Sequence, residues 1–331
     1  MSAVFRASAP LRLDFAGGWT DVPPWSTREG GLVVSAAIGL RAHAEVRPGG
    51  AGYRLRAEDL GEHADLPDQA ALATAGPLPL LRAGLRLLPI GPCALSTRCD
   101  APAGCGLGSS GALDVAIVAA LAAAGGDALG TREVADLAFR LEGVEAGVPG
   151  GRQDQFTAAF GGFLQLEFRD PAVAVVPLEL DPALVSELER RMIVVYTGAS
   201  RFSGATIGRV MQAYERNDRT VTAALHGLRA TAERMAEALT AGDLARIGAL
   251  LDANWQHQRA LDPAMCTPVM AELSRAMRAA GVLGGKAAGS GAGGSMFFLG
   301  PDDPAPAIEA ARAMDMTILP LRWSATGVRA C

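Results

Sequence analysis

Apolar and polar positions divide the chain into two textures. The first half alternates short β-like stretches with glycine-rich turns and a few helical patterns; from about residue 163, strand-like pieces lead into long helices. Residues 5–15 alternate well enough for strands, with a break at Ala9-Pro10, and 32–46 are β-rich. The glycines of 49–52 predict a hairpin turn, whereas 58–79 show no clear period. Residues 80–88 predict a helix, 94–99 a strand and 112–124 an apolar helix. Val134, Leu137, Ala138 and Leu141 make the apolar stripe of an amphipathic helix over 132–146, with Thr131 as N-cap and Gly147 beyond its end. In the second texture, strands are predicted over 163–168, 173–178, 192–196 and 295–299, and helices over about 203–240, 243–260 and 267–280. The change of texture sets the expected division at 1–162 and 163–331.

Composition narrows the classes. A chain of 331 residues, half of them hydrophobic, exceeds one ordinary core and predicts two domains. The net charge of −5, without a basic run, disfavours nucleic acid. No uninterrupted apolar span is long enough for a bilayer, and no signal-peptide pattern opens the sequence. Five cysteines without metal-type spacing suit reduced thiols, so the expected location is cytoplasmic, with no membrane partner. A homodimer is kept open as an assembly.

The chemistry concentrates at Pro102-Ala-Gly-Cys-Gly-Leu-Gly-Ser-Ser-Gly-Ala112. Four glycines between a strand and an apolar helix let free N–H groups and the positive end of the helix converge on one point, an anion site. A Walker loop is excluded, because no Lys-Ser/Thr pair follows the last glycine. Gly106-Leu-Gly108-Ser-Ser-Gly111 fits the dinucleotide fingerprint, but the following helix runs into the turn 125–130 instead of a second strand ending in an acid. A ligand-free strand-to-helix turn is the plain alternative. The third reading is the Pro-x-x-x-Gly-Leu-Gly-Ser-Ser loop of the GHMP kinases, which this segment closely resembles.

Five other places carry candidate groups. The rigid loop Ala16-Gly-Gly-Trp-Thr-Asp-Val-Pro-Pro24 presents one carboxylate, Asp21, either as a turn residue or facing a ligand. Glu142 lies near a predicted helix C-terminus, where the dipole disfavours an acid and a cation would explain it. The loop 147–155 delivers Arg152, Gln153, Asp154 and Gln155 to a helix start; Asp154 is either its cap or a carboxylate able to take a proton from a hydroxyl. Arg201, in a strand-to-helix link, either grips an anion or sits in solvent, and the glycine cluster 284–294 either closes over phosphates or is a flexible turn.

Three segments together are similar to the GHMP kinase superfamily, in order: 9–21, 102–112 and 286–298. Within it, Ala16-Gly-Gly-Trp-Thr-Asp21, Gly150-Gly-Arg-Gln-Asp-Gln155 with Phe160-Gly-Gly162, and Thr197-Gly-Ala-Ser-Arg201 resemble bacterial D-glycero-D-manno-heptose 7-phosphate kinases. The Gly-Gly-Trp-Thr-Asp with Pro23-Pro24 also resembles L-fucokinases, and Trp19 stands where heptose kinases more often have glycine. The resemblance implies an α+β two-domain fold: an N-terminal α/β domain related to ribosomal protein S5 domain 2, a C-terminal ferredoxin-like α+β domain, and an active site in the cleft between them. It implies ATP and Mg²⁺, and a sugar or sugar phosphate as the molecule acted on. Pro102, Gly104, Gly106, Leu107, Gly108, Ser109, Ser110 and Gly111 would hold ATP, with Ser110 and Glu142 at the metal. Asp154 would be the base or hydroxyl-orienting carboxylate, paired with Arg12. Gly18, Thr20, Asp21, Arg152, Gln153, Arg201 and Gly293 would surround the substrate, with Arg201 or Arg152 meeting a substrate phosphate. The implied reaction phosphorylates the anomeric hydroxyl of the heptose 7-phosphate. The alternatives are an L-fucokinase or related free-sugar kinase, a catalytically silent sugar and ATP sensor, and an NAD-binding protein built on the same glycines.

Overall fold

The computed structural model describes residues 3–198 and 204–331. The chain runs through β1 (Phe5–Ala16), α1 (Trp25–Arg28), β2 (Gly31–Pro48), β3 (Tyr53–Ala57), β4 (Glu62–Leu66), α2 (Pro79–Leu87) and β5 (Cys93–Cys99). Then come α3 (Ser109–Gly125), α4 (Thr131–Arg140), α5 (Gln153–Phe160), β6 (Phe163–Arg169), β7 (Ala172–Pro177), α6 (Pro182–Arg191) and β8 (Met192–Tyr196). The remainder is α7 (Gly204–Glu215), α8 (Arg219–Ala241), α9 (Leu244–Leu261), α10 (Pro268–Ala279), β9 (Gly284–Ala287), β10 (Ser295–Leu299), α11 (Ala305–Arg312), β11 (Thr317–Leu319) and β12 (Arg329–Ala330).

The larger sheet is organised by β2, which at 18 residues is long enough to serve two neighbours on one edge. Its C-terminal half pairs with β5, from Ala42↔Cys99 to Pro48↔Cys93, and its N-terminal half with β6, from Gly31↔Phe168 to Ala36↔Phe163. Along its other edge runs β1, continuous through Ala9-Pro10 with irregularities of register rather than a break. The apolar α3 lies across β1 and β2, which accounts for its lack of a polar face: Val115 to Leu121 are all buried.

The smaller sheet is antiparallel in the order β11-β8-β10-β9. A helix pair joins the two sheets. Gly242 ends α8 at φ +70°, Asp243 caps α9 by accepting the Arg246 N–H at 2.9 Å, and the chain turns back within two residues. On one side α8 touches β1 and β2; on the other α9 touches β9. Mixed α/β content in two sheet-based halves agrees with the expected two-domain fold.

Several expectations are corrected. Residues 163–177 extend the first sheet through β6 and β7, so the change of texture at 163 is not a change of sheet. The last residues also return to that sheet, with β12 pairing β1. The glycines at 49–52 do not close a hairpin between neighbours, because β5 inserts between β2 and β3 and pairs with β3 in parallel. The long helix expected over 203–240 is two helices, broken where Asn217 takes φ +58° and Asp218 caps α8 through the N–H groups of Thr220 and Val221. The amphipathic helix begins at Thr131, with Glu133 accepting the Gly130 N–H at 2.7 Å, and its last turn, Leu141–Glu145, is π-helical.

Candidate active site

The first glycine loop delivers its backbone as its composition requires. Gly104, Gly106 and Gly108 take φ +68°, +79° and +73°, left-handed values that residues with a Cβ adopt at a cost. The loop ends at the N-terminus of α3, where Ser109 and Ser110 face a cleft of about 200 Å³. Arg12, from β1, passes beneath. Its backbone N–H donates to Leu107 O at 2.9 Å, its Nη1 donates to Gly106 O at 2.6 Å, and a Cβ on Gly108 would press against its side chain at 3.1 Å.

Arg12 donates through Nε to Asp154 Oδ1 at 2.8 Å, uniting residues 142 positions apart. Burial pulls the guanidinium pKa down, but the charges of Asp154 and Asp14 outweigh it and raise it, so Arg12 stays cationic. Asp154 reaches this place because α5 packs unusually close to α3: a Cβ on Gly111 would lie 2.6 Å from Asp154 Cβ. Gly111 therefore positions the carboxylate rather than lining the cleft.

Glu142 lies in the π-helical turn, a distortion that recurs at functional sites. Its Oε1 accepts the Ser110 hydroxyl at 2.5 Å and its Oε2 accepts Gln155 Nε2 at 2.6 Å. Burial raises its pKa, the Ser110 hydrogen bond opposes the rise, and the charge of Asp154 adds to it. A carboxyl held between two donors, and raised by like charge, is a group that a cation would relieve. Hydroxyl and carboxylate oxygens fit Mg²⁺, which takes one or two protein ligands and keeps its waters. No cluster of three or more His, Cys, Asp or Glu that could cage a metal occurs among the described residues.

Across the cleft, Asp21 is buried with its Oδ2 accepting the Gln153 N–H at 3.1 Å and its Oδ1 accepting Gln153 Nε2 at 3.3 Å. Burial pushes its carboxyl up to about 6, against the pull of the Gln153 N–H, with the charge of Asp154 adding to the rise. Gly151 is required here, since a Cβ would stand 1.9 Å from Asp21 Oδ2. Gly293, with Ser290, brings the second glycine loop to the cleft wall.

Other expected site residues lie elsewhere. Thr20 is a latch: its hydroxyl, buried from the cleft, donates its only proton to Gly17 O at 2.7 Å and accepts the Leu32 N–H at 3.0 Å. Arg152 turns away, donating to Pro171 O and to Asp170 at 2.7 Å and lying 4.5 Å from the Phe139 ring centroid. Pro102 is exposed at the loop entry, Leu107 is core, and Gly18 abuts Asp14. Arg201 lies outside the described residues.

Sequence reasoning gave no role to four groups. Gln155 holds Glu142. Asp14, which shares a strand face with Arg12, and Lys286 form a buried pair at 2.7 Å. Asp114 is fully buried with no partner for either oxygen among the described residues, and burial raises its pKa well above the usual carboxylate range, with Glu142 and Asp154 adding to the rise. Its signal was legible: it is the one charge in the seventeen residues of α3.

A helix mouth fed by glycines, an arginine-held carboxylate and an oxygen-donor pair lie in one cleft, and these are the kinds of group that phosphoryl transfer requires. The GHMP kinases N terminal domain family matches residues 74–162 and the GHMP kinases C terminal family residues 235–315. The chain belongs to the GHMP kinases, and it is an ATP-dependent carbohydrate kinase. It is 29% identical over 305 residues, 88% of each chain, to a D-glycero-alpha-D-manno-heptose 7-phosphate kinase of Campylobacter jejuni. It is 28% identical to a bifunctional fucokinase/GDP-fucose pyrophosphorylase of Arabidopsis thaliana, over 90% of this chain and 30% of that longer one. A solved D-glycero-D-manno-heptose 1-phosphate kinase from Bacteroides thetaiotaomicron superposes with a TM-score of 0.81 at 27% identity, over 99% of this chain and 98% of that one. Among the described residues no helix is long and apolar enough to cross a membrane.

Proposed function

We propose that the protein transfers the γ-phosphoryl group of ATP to the anomeric hydroxyl of D-glycero-D-manno-heptose 7-phosphate, giving the 1,7-bisphosphate. The observation that carries the reading is Asp154, held by Arg12 at 2.8 Å in the cleft that also holds the mouth of α3. Asp154 accepts the proton of the attacking hydroxyl as its oxygen bonds to the γ-phosphorus. The bond to the β–γ bridging oxygen breaks and ADP leaves. The anomeric hydroxyl is more acidic than other sugar hydroxyls, so a carboxylate suffices. Arg12 stays ionised and opposes the growing charge on the transferring group. Ser110 and Glu142 would hold Mg²⁺, which supplies charge neutralisation on the nucleotide phosphates. Asp21 and Gln153 take the sugar hydroxyls from the opposite wall.

A second reading, a free-sugar 1-kinase of the L-fucokinase kind, is favoured by Arg152, whose guanidinium is engaged by Asp170 and Pro171 rather than offered to a substrate phosphate. Coupled ADP release measured over both sugars separates the two: turnover of fucose with none of the heptose phosphate overturns the first. Asp154→Asn should lower kcat by about 10²–10⁴-fold while leaving ATP binding intact. Full activity of that variant would sink the mechanism, and a wild-type protein that binds sugar and ATP without turnover would be the sensor.

A further inference from the structure

Resting on the reading that nucleotide phosphates dock at the glycine loops, we propose that Asp14 and Lys286 form a buried clamp that presets the second glycine loop for ATP. Asp14 is a positioning residue that never touches the nucleotide.

Asp14 lies two residues beyond Arg12 on β1, so the two side chains share one face of the strand. Its carboxylate is 1% exposed and has three partners. Oδ2 accepts Lys286 Nζ at 2.7 Å, Oδ1 accepts the Gly289 N–H at 2.9 Å, and Oδ1 stands 3.9 Å from Arg12 Nη1. Lys286 is fully buried, also donates to Asp14 O at 2.8 Å, and lies 5.1 Å from the Phe297 ring centroid. The pair therefore joins β1 of the larger sheet to β9 of the smaller one.

Stability does not explain this arrangement. A buried ion pair is often no better than a well-packed apolar pair, because desolvation offsets the attraction. An apolar pair could hold the sheets together, but it could not accept the Gly289 N–H. That hydrogen bond fixes where the loop begins. Gly289 stands at φ +61°, with its carbonyl accepting Gln258 Nε2 at 2.8 Å. A Cβ there would lie 2.7 Å from Gly106 O, the same oxygen that accepts Arg12 Nη1. The two glycine loops thus meet backbone to backbone over Arg12. Gly289, its N–H committed to Asp14, lines the cleft together with Ser290, Gly291 and Gly293, so the bond to Asp14 fixes the stretch of loop that faces the cleft. Fixing that register before ATP arrives removes an ordering cost from binding.

Two double variants separate the hydrogen bond from the charge. Asp14→Asn with Lys286→Met keeps an acceptor for Gly289; Asp14→Leu with Lys286→Met removes it. ATP affinity is read by titration calorimetry with Mg²⁺ present, alongside the circular dichroism melt and the separate KM values for ATP and sugar. The Asn pair should bind ATP like wild type. The Leu pair should melt like the Asn pair, bind ATP about 10-fold more weakly or worse, and keep its sugar KM. Equal ATP affinity in the two variants overturns the proposal. If either variant fails to fold, amide exchange in the wild type decides. The Gly289 N–H should be protected without nucleotide; exchange at an open-loop rate until ATP is added overturns the clamp. A wild-type protein that binds no ATP refutes the kinase reading instead, and the exchange measurement still decides the clamp.

Discussion

Asp21→Asn offers a test whose size follows from burial. The Asp21 carboxyl stands at about 6 in the folded protein against 3.8 for the free group. The difference of about 2 units corresponds to about 3 kcal/mol of differential interaction between the two protonation states. The folded pKa is the higher one, so the folded state holds its proton more tightly than the unfolded chain does. Lowering the pH through 6 towards 4 therefore stabilises the fold at this site, and above about pH 6 the full penalty of an ionised, buried carboxylate is in force. Asparagine carries no charge and nearly the same shape. Its Oδ1 keeps the Gln153 N–H, and a flip of the Gln153 amide, whose Oε1 has no partner, accommodates the new NH₂. Urea unfolding at pH 7.5 should show Asp21→Asn more stable than wild type by about 2–3 kcal/mol, and the gain should shrink to near zero by pH 4. The same variant should raise the KM for the sugar, because a carboxylate that accepts hydroxyl protons has been replaced. A gain independent of pH, or no gain at pH 7.5, refutes the assignment of this penalty to Asp21.

The other predictions concern the opposite wall. Ser110→Ala and Glu142→Gln should each raise the Mg²⁺ concentration needed for half-maximal activity, read by titrating Mg²⁺ at saturating ATP; an unchanged requirement in both removes them from the metal. Gly111→Ala should press a methyl into Asp154, lowering kcat far more than it raises either KM and costing about 1–3 kcal/mol of stability. Wild-type kcat in that variant would show that the approach of α3 to α5 does not set the position of Asp154.

Much of the site was legible because its pieces are local. Glycines before an apolar helix mark a candidate anion loop whatever the rest of the chain does, and Gly104, Gly106 and Gly108 take the left-handed values that such a loop needs. Glu142 was conspicuous because an acid at a helix end calls for a reason, and the π-helical turn puts it against Ser110. Thr20 and Arg152 misled because a polar side chain in a glycine-rich loop reads the same whether it faces a ligand or the protein's own backbone. Thr20 bonds Gly17 and Leu32, and Arg152 bonds Asp170 and Pro171; none of these partners is indicated by the local pattern. Asp14 and Lys286 were given no role for the same reason, each finding its partner 272 residues away.

The sequence alone determined the glycine loop and most of the helices and strands, because those depend on backbone freedom and on periodicities within a few residues, while the kinase family was legible through the resemblance of three segments to its known members. The tertiary structure alone decided that β6 and β7 complete the first sheet, that β5 separates β2 from β3, and that the Asp14 carboxylate commits Gly289. Each of these is a pairing between distant segments. A strand's alternation states which face is buried but not which neighbour covers it, and a buried charge names the need for a partner but not the partner itself.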